Sequence, residues 1–205
     1  MVIYGALNIP LPYLPGTSTS GDTPSSVLIL GGSSATGAAA IQLLRLAHPS
    51  LPILATSSPK NHAHVASRGA TRVFDYHSPS VVSDIKTASP GGRGVDMIID
   101  CVSAGASQTD ICDVIDPSGS KKYASLMTGV EVPVPQDVTK FDVIGSSLVK
   151  LQDREAIVQA LTRLVEEDKY KLPVPVRVVG HGLEQLPSVM DEVMSVSCEK
   201  LVVTL

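Results

Sequence analysis

The sequence contains no tryptophan, and its seven other aromatic residues are two Phe and five Tyr. So few rings exclude the stacking platforms that hold single-stranded nucleic acid. A formal net charge of −4 removes the basic footprint that such a partner needs. Cysteine is also scarce. Cys101, Cys112 and Cys198 are odd in number and widely spaced, so neither a disulfide framework nor a zinc-ribbon spacing is present. No apolar run is long enough to span a bilayer, and Met1 to Leu11 lack the basic start of a secretory signal. The default expectation is therefore a cytoplasmic protein with no nucleic-acid or membrane partner. A nucleophile-elbow motif is missing as well, which leaves hydrolase chemistry without support.

What is present is an ordinary globular composition: 205 residues, 43% hydrophobic and 18% charged, enough for a substantial core. The stretch Val27-Leu28-Ile29-Leu30 reads as a strand buried on both faces. Gly31-Gly32-Ser33-Ser34-Ala35-Thr36-Gly37 cannot continue it, and from Ala35 the apolar spacing turns helical. Strand, small-residue turn and helix together open a dinucleotide-binding βαβ unit, in which free amides and the helix dipole suit a pyrophosphate. The usual glycine spacing is met at Gly32 and Gly37 and broken by Ser34. A turn with no ligand would show the same short motif, so later positions must carry the assignment.

Further strands are expected at Ile53–Thr56, Val73–Tyr76, Met97–Cys101, Lys122–Leu126, Phe141–Gly145, Val176–Val179 and Leu201–Leu205. Helices are expected from Ser58-Pro59 and Ser78-Pro79, where a capping hydroxyl precedes a proline at the first helical position. Others should run over Ser107–Ile115, Leu151–Lys169 and Leu183–Ser195. This alternation predicts an α/β protein, a Rossmann-type doubly wound and mostly parallel sheet with helices on both faces. Residues 1–26, with Pro10, Pro12, Pro15 and Pro24, read as an N-terminal stub and proline-rich linker ahead of a nucleotide-binding domain over 27–205.

The end of the second strand selects the cofactor. NAD-binding folds place a carboxylate about 20 residues after the glycine turn, on the ribose 2′-hydroxyl. Here Thr56-Ser57-Ser58-Pro59-Lys60-Asn61 holds no carboxylate, and none follows until Asp75. Hydroxyls, a helix start and an ammonium welcome a 2′-phosphate, so NADPH is expected over NADH. A helix cap with a solvated lysine would read the same way.

The motifs Gly31 to Gly37, Ser58 to Asn61, Arg68-Gly69-Ala70, Val73 to Tyr76 and Glu199-Lys200-Leu201-Val202-Val203, taken in order, resemble the zinc-independent medium-chain dehydrogenase/reductases. Within them the chain is most similar to the fungal trans-acting enoyl reductases that serve polyketide synthases, and the likeness spans nearly all of Leu7 to Leu205. The resemblance implies that Ser33, Ser34, Ala35, Thr36 and Gly37 wrap the phosphates. It implies that Ser58, Lys60 and Asn61 hold the 2′-phosphate, with Tyr76 beside it. It also brings Leu126, Met127, Val196 and Ser197 toward the nicotinamide half. The family carries a GroES-like catalytic lobe that has no counterpart in these residues, so no catalytic residue is assigned. Cys198 stands where the family commonly has glycine.

The remaining candidates point to structure. His62 and His64, two apart on a helix, read as solvated side chains, and no metal site is expected. Cys101 reads as a buried thiol, Asp75 and Asp100 as turn or cap groups. His181 has no acid or nucleophile partner in sequence, and Lys121-Lys122 reads as a solvated pair. The expected function is an NADPH-dependent reduction of an activated alkene, such as a polyketide or enoyl thioester, in a fungal secondary-metabolite pathway. Two alternatives stand beside it: a redox-independent cyclase or isomerase on the same fold, and a non-catalytic partner of a synthase. A homodimer through the edge strand at Phe141–Gly145 is compatible with each.

Overall fold

A computed structural model describes residues 2–14, 23–151 and 154–205. Pro15, counted above with the linker, lies outside them. Six parallel strands form the main sheet: β1 (Val27–Leu30), β2 (Ile53–Ser57), β3 (Arg72–Asp75), β4 (Met97–Asp100), β5 (Lys122–Leu126) and β6 (Thr139–Val143). Their order is β3-β2-β1-β4-β5-β6, the doubly wound arrangement expected from the sequence. Ile29 pairs with Ala55 on one side and with Ile99 on the other. β1 is thus the central strand, and the order of strands reverses beside it. Every residue of β1, β2 and β4 is buried.

The two-residue period of a strand divides the core into two layers. Val27, Ile29, Ile53, Ala55, Met97 and Ile99 face α1 (Ala35–Ala47), where Ile41 and Leu44 meet them. Leu28, Leu30, Leu54 and Ile98 face α3 (Val81–Ala88), where Val81 and Ile85 close the second layer with Tyr123. In chain order α2 (His62–Ser67) comes between these two helices; its Val65 joins the first layer, and Gly69, held at φ +111°, follows its last turn. A fully buried Leu or Ile contributes about 1.5–3 kcal/mol, so these layers hold the fold. Ile3, Leu7, Ile9, Leu11 and Leu14 join the first layer. This segment reads as a linker in sequence because its prolines mask the apolar residues between them.

The C-terminal part is built differently. After α4 (Arg154–Glu166), β7 (Val176–His181) and β8 (Lys200–Thr204) form a separate two-stranded parallel sheet. Several helices expected from sequence are shorter or tighter. Ser107–Ile115 holds a 3₁₀ segment, Thr109–Val114, preceded by a separate 3₁₀ turn at Ala104–Ala106, in a run whose polar and β-branched residues disfavour a regular helix. Leu183–Ser195 breaks into a 3₁₀ turn, α5 (Leu186–Val189) and a second 3₁₀ turn. Leu151–Lys169 narrows to α4, residues 152–153 lying outside the described ones. Among the described residues, no helix is long and apolar enough to cross a membrane.

Candidate functional site

A cleft of about 670 Å³ opens at the carboxyl ends of β1 to β4, where the strand order reverses. Open α/β sheets bind ligands at such a switch point. Its floor is the turn from β1 into α1. Gly31 adopts φ +76°, and a Cβ there would lie 2.5 Å from Val102 Cγ1. Gly37 lets α1 approach the turn, since a Cβ would lie 2.3 Å from the Gly31 carbonyl oxygen. Ser34, at the position where a third glycine is usual, has φ −71° and needs none. Its Oγ accepts from the Gly37 N–H at 3.0 Å and donates to the Gly31 carbonyl at 2.8 Å. The serine caps α1, and the first turn of that helix carries no acidic residue.

Strand β2 forms the second wall with Thr56, Ser57 and Ser58. Thr56 Oγ1 accepts from the Gly31 N–H at 3.2 Å, tying β2 to the turn. Ser57 is 1% exposed, and its Oγ has no hydrogen-bond partner although the residue lines the cleft. Ser58 makes no capping bond, contrary to the cap expected from Ser58-Pro59. The chain turns through a 3₁₀ segment, Pro59–Asn61, before α2 begins at His62. The hydroxyl therefore remains at the cleft. The same correction applies at Ser78-Pro79, since α3 starts at Val81 and Ser80 Oγ donates to Asp84 instead.

The far walls come from β3, β4 and the C-terminal segment. Tyr76 and His77 follow β3 with ring centroids 4.0 Å apart, and Gln108 Nε2 donates to the Tyr76 carbonyl at 2.7 Å. Asp75 turns away, accepting from the His77 N–H. At the end of β4, Asp100 is fully buried and accepts from the N–H groups of Val102, Ala104 and Gly105 and from the Tyr123 hydroxyl. It shapes the loop that carries Ser103 and Ala104 to the cleft, a cap role as expected. Burial and the Asp100 carboxylate push the Cys101 thiol up to about 12, so it stays protonated and inert. Burial also raises Cys198, with Arg68 opposing.

Among the residues expected at the site, Ser33, Ser34, Ser58, Tyr76 and Ser197 line the cleft together. Ala35, Thr36 and Gly37 form the first turn of α1 behind Ser34. Lys60 is exposed on the turn after Ser58. Asn61 is buried and does not line the cleft; its Nδ2 donates to Ser197 Oγ at 2.8 Å. Val196 is half-buried beside them. Leu126 packs on the first core layer, whereas Met127 lines a separate hollow beyond β5 with Ser125 and Lys140. His62 and His64 face backbone carbonyls, those of Ser57 and Pro173.

Sequence reasoning missed His77, Ser103 and Gln108. It named Ser57 only within the hydroxyl run, because β2 runs one residue longer than its apolar run. The rule that ligands sit beyond carboxyl strand ends could have found Ser103. Among the described residues, no side chain lining the cleft is a carboxylate. Hydroxyls, helix-start amides and the Lys60 ammonium nearby make a surface that accepts a phosphorylated, hydroxyl-rich ligand.

Comparison with known proteins agrees with this architecture. Residues 35–166 match the family model described as zinc-binding dehydrogenase. The trans-enoyl reductase poxP of Penicillium oxalicum is 32% identical over 201 residues, covering 89% of this chain and 52% of that protein. The trans-enoyl reductase himH of Aspergillus japonicus is 29% identical over 205 residues, covering 98% and 57%. The chain thus spans about half the length of these curated relatives. A solved alcohol dehydrogenase zinc-binding domain protein from Burkholderia ambifaria shares the fold, with TM-score 0.73, 18% identity and coverage of 100% of this chain and 51% of that one. The doubly wound sheet, the capped turn at its switch point and the matched span agree, and this chain belongs to the zinc-binding dehydrogenase family.

Proposed function

We propose that this chain is the nucleotide-binding part of an NADPH-dependent reductase of the enoyl type, acting on an activated alkene such as a polyketide or enoyl thioester. The observation that carries this reading is the wall at the end of β2, which offers Thr56, Ser57 and Ser58 and no carboxylate. A buried hydroxyl without a partner costs about 1–3 kcal/mol, and Ser57 Oγ is in that state beside the cleft. A ribose hydroxyl or phosphate oxygen would satisfy it, so the residues present fit an adenosine phosphate.

The parts divide as follows. Gly31, Ser33 and the start of α1 hold the pyrophosphate, to which Ser34, Ala35, Thr36 and Gly37 present the first helical turn. Ser58 and Lys60 hold the 2′-phosphate, and Tyr76 flanks it. Leu126, the last residue of β5, and Met127 after it border the nicotinamide end. The bound dihydronicotinamide supplies the hydride. Met127 is 56% exposed, so exclusion of water there requires cover from a second surface. The names of both relatives, trans-enoyl reductase, support an enoyl substrate, and a polyketide synthase is the partner that would present it.

Thermal shift with NADPH and NADH in parallel tests the reading. A nucleotide at 100 times its dissociation constant adds about 2.7 kcal/mol of stability. NADPH is expected to raise the melting temperature more than NADH, with the difference reduced in Lys60→Ala. Equal shifts would remove the 2′-phosphate from the account. No shift with either would remove the nucleotide.

A further inference from the structure

The C-terminal unit hangs on the main domain by a few hydrogen bonds whose places are informative. Gln42, buried on α1, donates to the Lys171 carbonyl and accepts from the Lys171 N–H. His64 Nε2 lies 2.8 Å from the Pro173 carbonyl. Both hold the start of the unit, just before β7. At its far end, ahead of β8, the contact is Asn61 Nδ2 to Ser197 Oγ, and here the chain enters the wall of the cleft through Ser197 and Cys198.

Two facts mark this contact as more than a tether. Asn61 is 7% exposed and spends its amide on Ser197 instead of the cleft. Cys198 is a non-glycine residue at φ +63°, a conformation that persists only where the surroundings impose it. The residue just before it is the one that Asn61 holds. Meanwhile β7 and β8 form a two-stranded sheet, which has marginal stability by itself.

We propose that Asn61 is a positioning residue that seats the Ser197–Cys198 turn against the nucleotide, so that nucleotide binding and docking of the β7–β8 unit stabilise each other. The inference rests on the reading of the cleft as an NADPH site. Its physical core is reciprocity: if a docked turn improves binding, the bound nucleotide improves docking by the same factor. Binding energy then holds in place a unit that has little core of its own.

The test uses the whole chain and NADPH, measuring affinity by titration and backbone amide exchange over residues 176–204. Ser197→Ala and Asn61→Ala are each expected to weaken NADPH about fivefold, the worth of one hydrogen bond. The double variant should be no weaker than either single one, and Ser197→Thr, which keeps the hydroxyl, should restore binding. In the unaltered chain NADPH should slow exchange in β7 and β8, and in Ser197→Ala it should not. The melting temperature without nucleotide should be alike in Ser197→Thr and the unaltered chain, which keeps the rescue separate from folding. Unchanged affinity in the single variants, additive losses in the double variant, or bound NADPH without slower exchange overturns the proposal while leaving the NADPH site standing. Absence of NADPH binding in the unaltered chain removes both.

Discussion

The two sheets among the described residues are both parallel, yet different forces hold them. β1, β2 and β4 bury every side chain between two layers of helices and turns. β7 leaves Val176 48% and Val178 50% exposed, and the segments after it leave Leu183, Met190 and Met194 at 61%, 62% and 91%. Its charges pair locally, with Arg177 bridging Glu192 and Glu199 at 3.0 Å. Parallel sheets are normally covered on both faces. The first sheet therefore supports itself, while the second borrows stability from whatever it touches. The candidate site lies where the two meet, with its floor in the first region and Ser197 and Cys198 from the second.

The contrast predicts unequal costs for equal deletions. Ile99→Ala in β4 should lose about 2–5 kcal/mol in urea unfolding, whereas Val178→Ala in β7 should stay within about 0.5 kcal/mol; equal losses would end the comparison. Gly37→Ala should cost about 1–3 kcal/mol, because its Cβ meets the Gly31 carbonyl with backbone on both sides. Ser34→Ala removes the α1 cap and should lower stability by about 1 kcal/mol, with a circular-dichroism melt as the measure. The smallest effect is expected where apolar surface is already exposed. Met190→Ser combined with Met194→Ser should leave unfolding within about 0.5 kcal/mol and reduce binding of a hydrophobic dye. A larger loss would show that this surface is packed in solution.

The core strands were legible because each is a short apolar run closed by turn residues, as in Val27–Leu30 before Gly31 and Met97–Asp100 before Ser103. The site was legible in part. Ser33, Ser34, Ser58 and Tyr76 flank strand ends, and strand ends in a doubly wound fold converge. Ser57 was not legible, because a serine closing a strand looks the same whether its hydroxyl is satisfied or orphaned. Nor was the role of Asn61, whose partner is 136 positions away. The helix expected over Leu183–Ser195 failed for a local reason: Pro187, which has no N–H to continue the turn at Leu183–Gln185, stands in the first turn of α5.

By itself, the sequence determined the alternation of buried strands and helices, the small-residue turn from Gly31 to Gly37 and the lack of a carboxylate after β2, all set by residues near one another in the chain. Only the tertiary structure decided that Ile9 and Leu11 belong to the core, that Ser58 leaves its hydroxyl free, and that Ser197 reaches Asn61. These depend on which surfaces close over one another. Periodicity and capping act over a few residues, but burial and long-range hydrogen bonds are fixed when the sheet brings distant segments together.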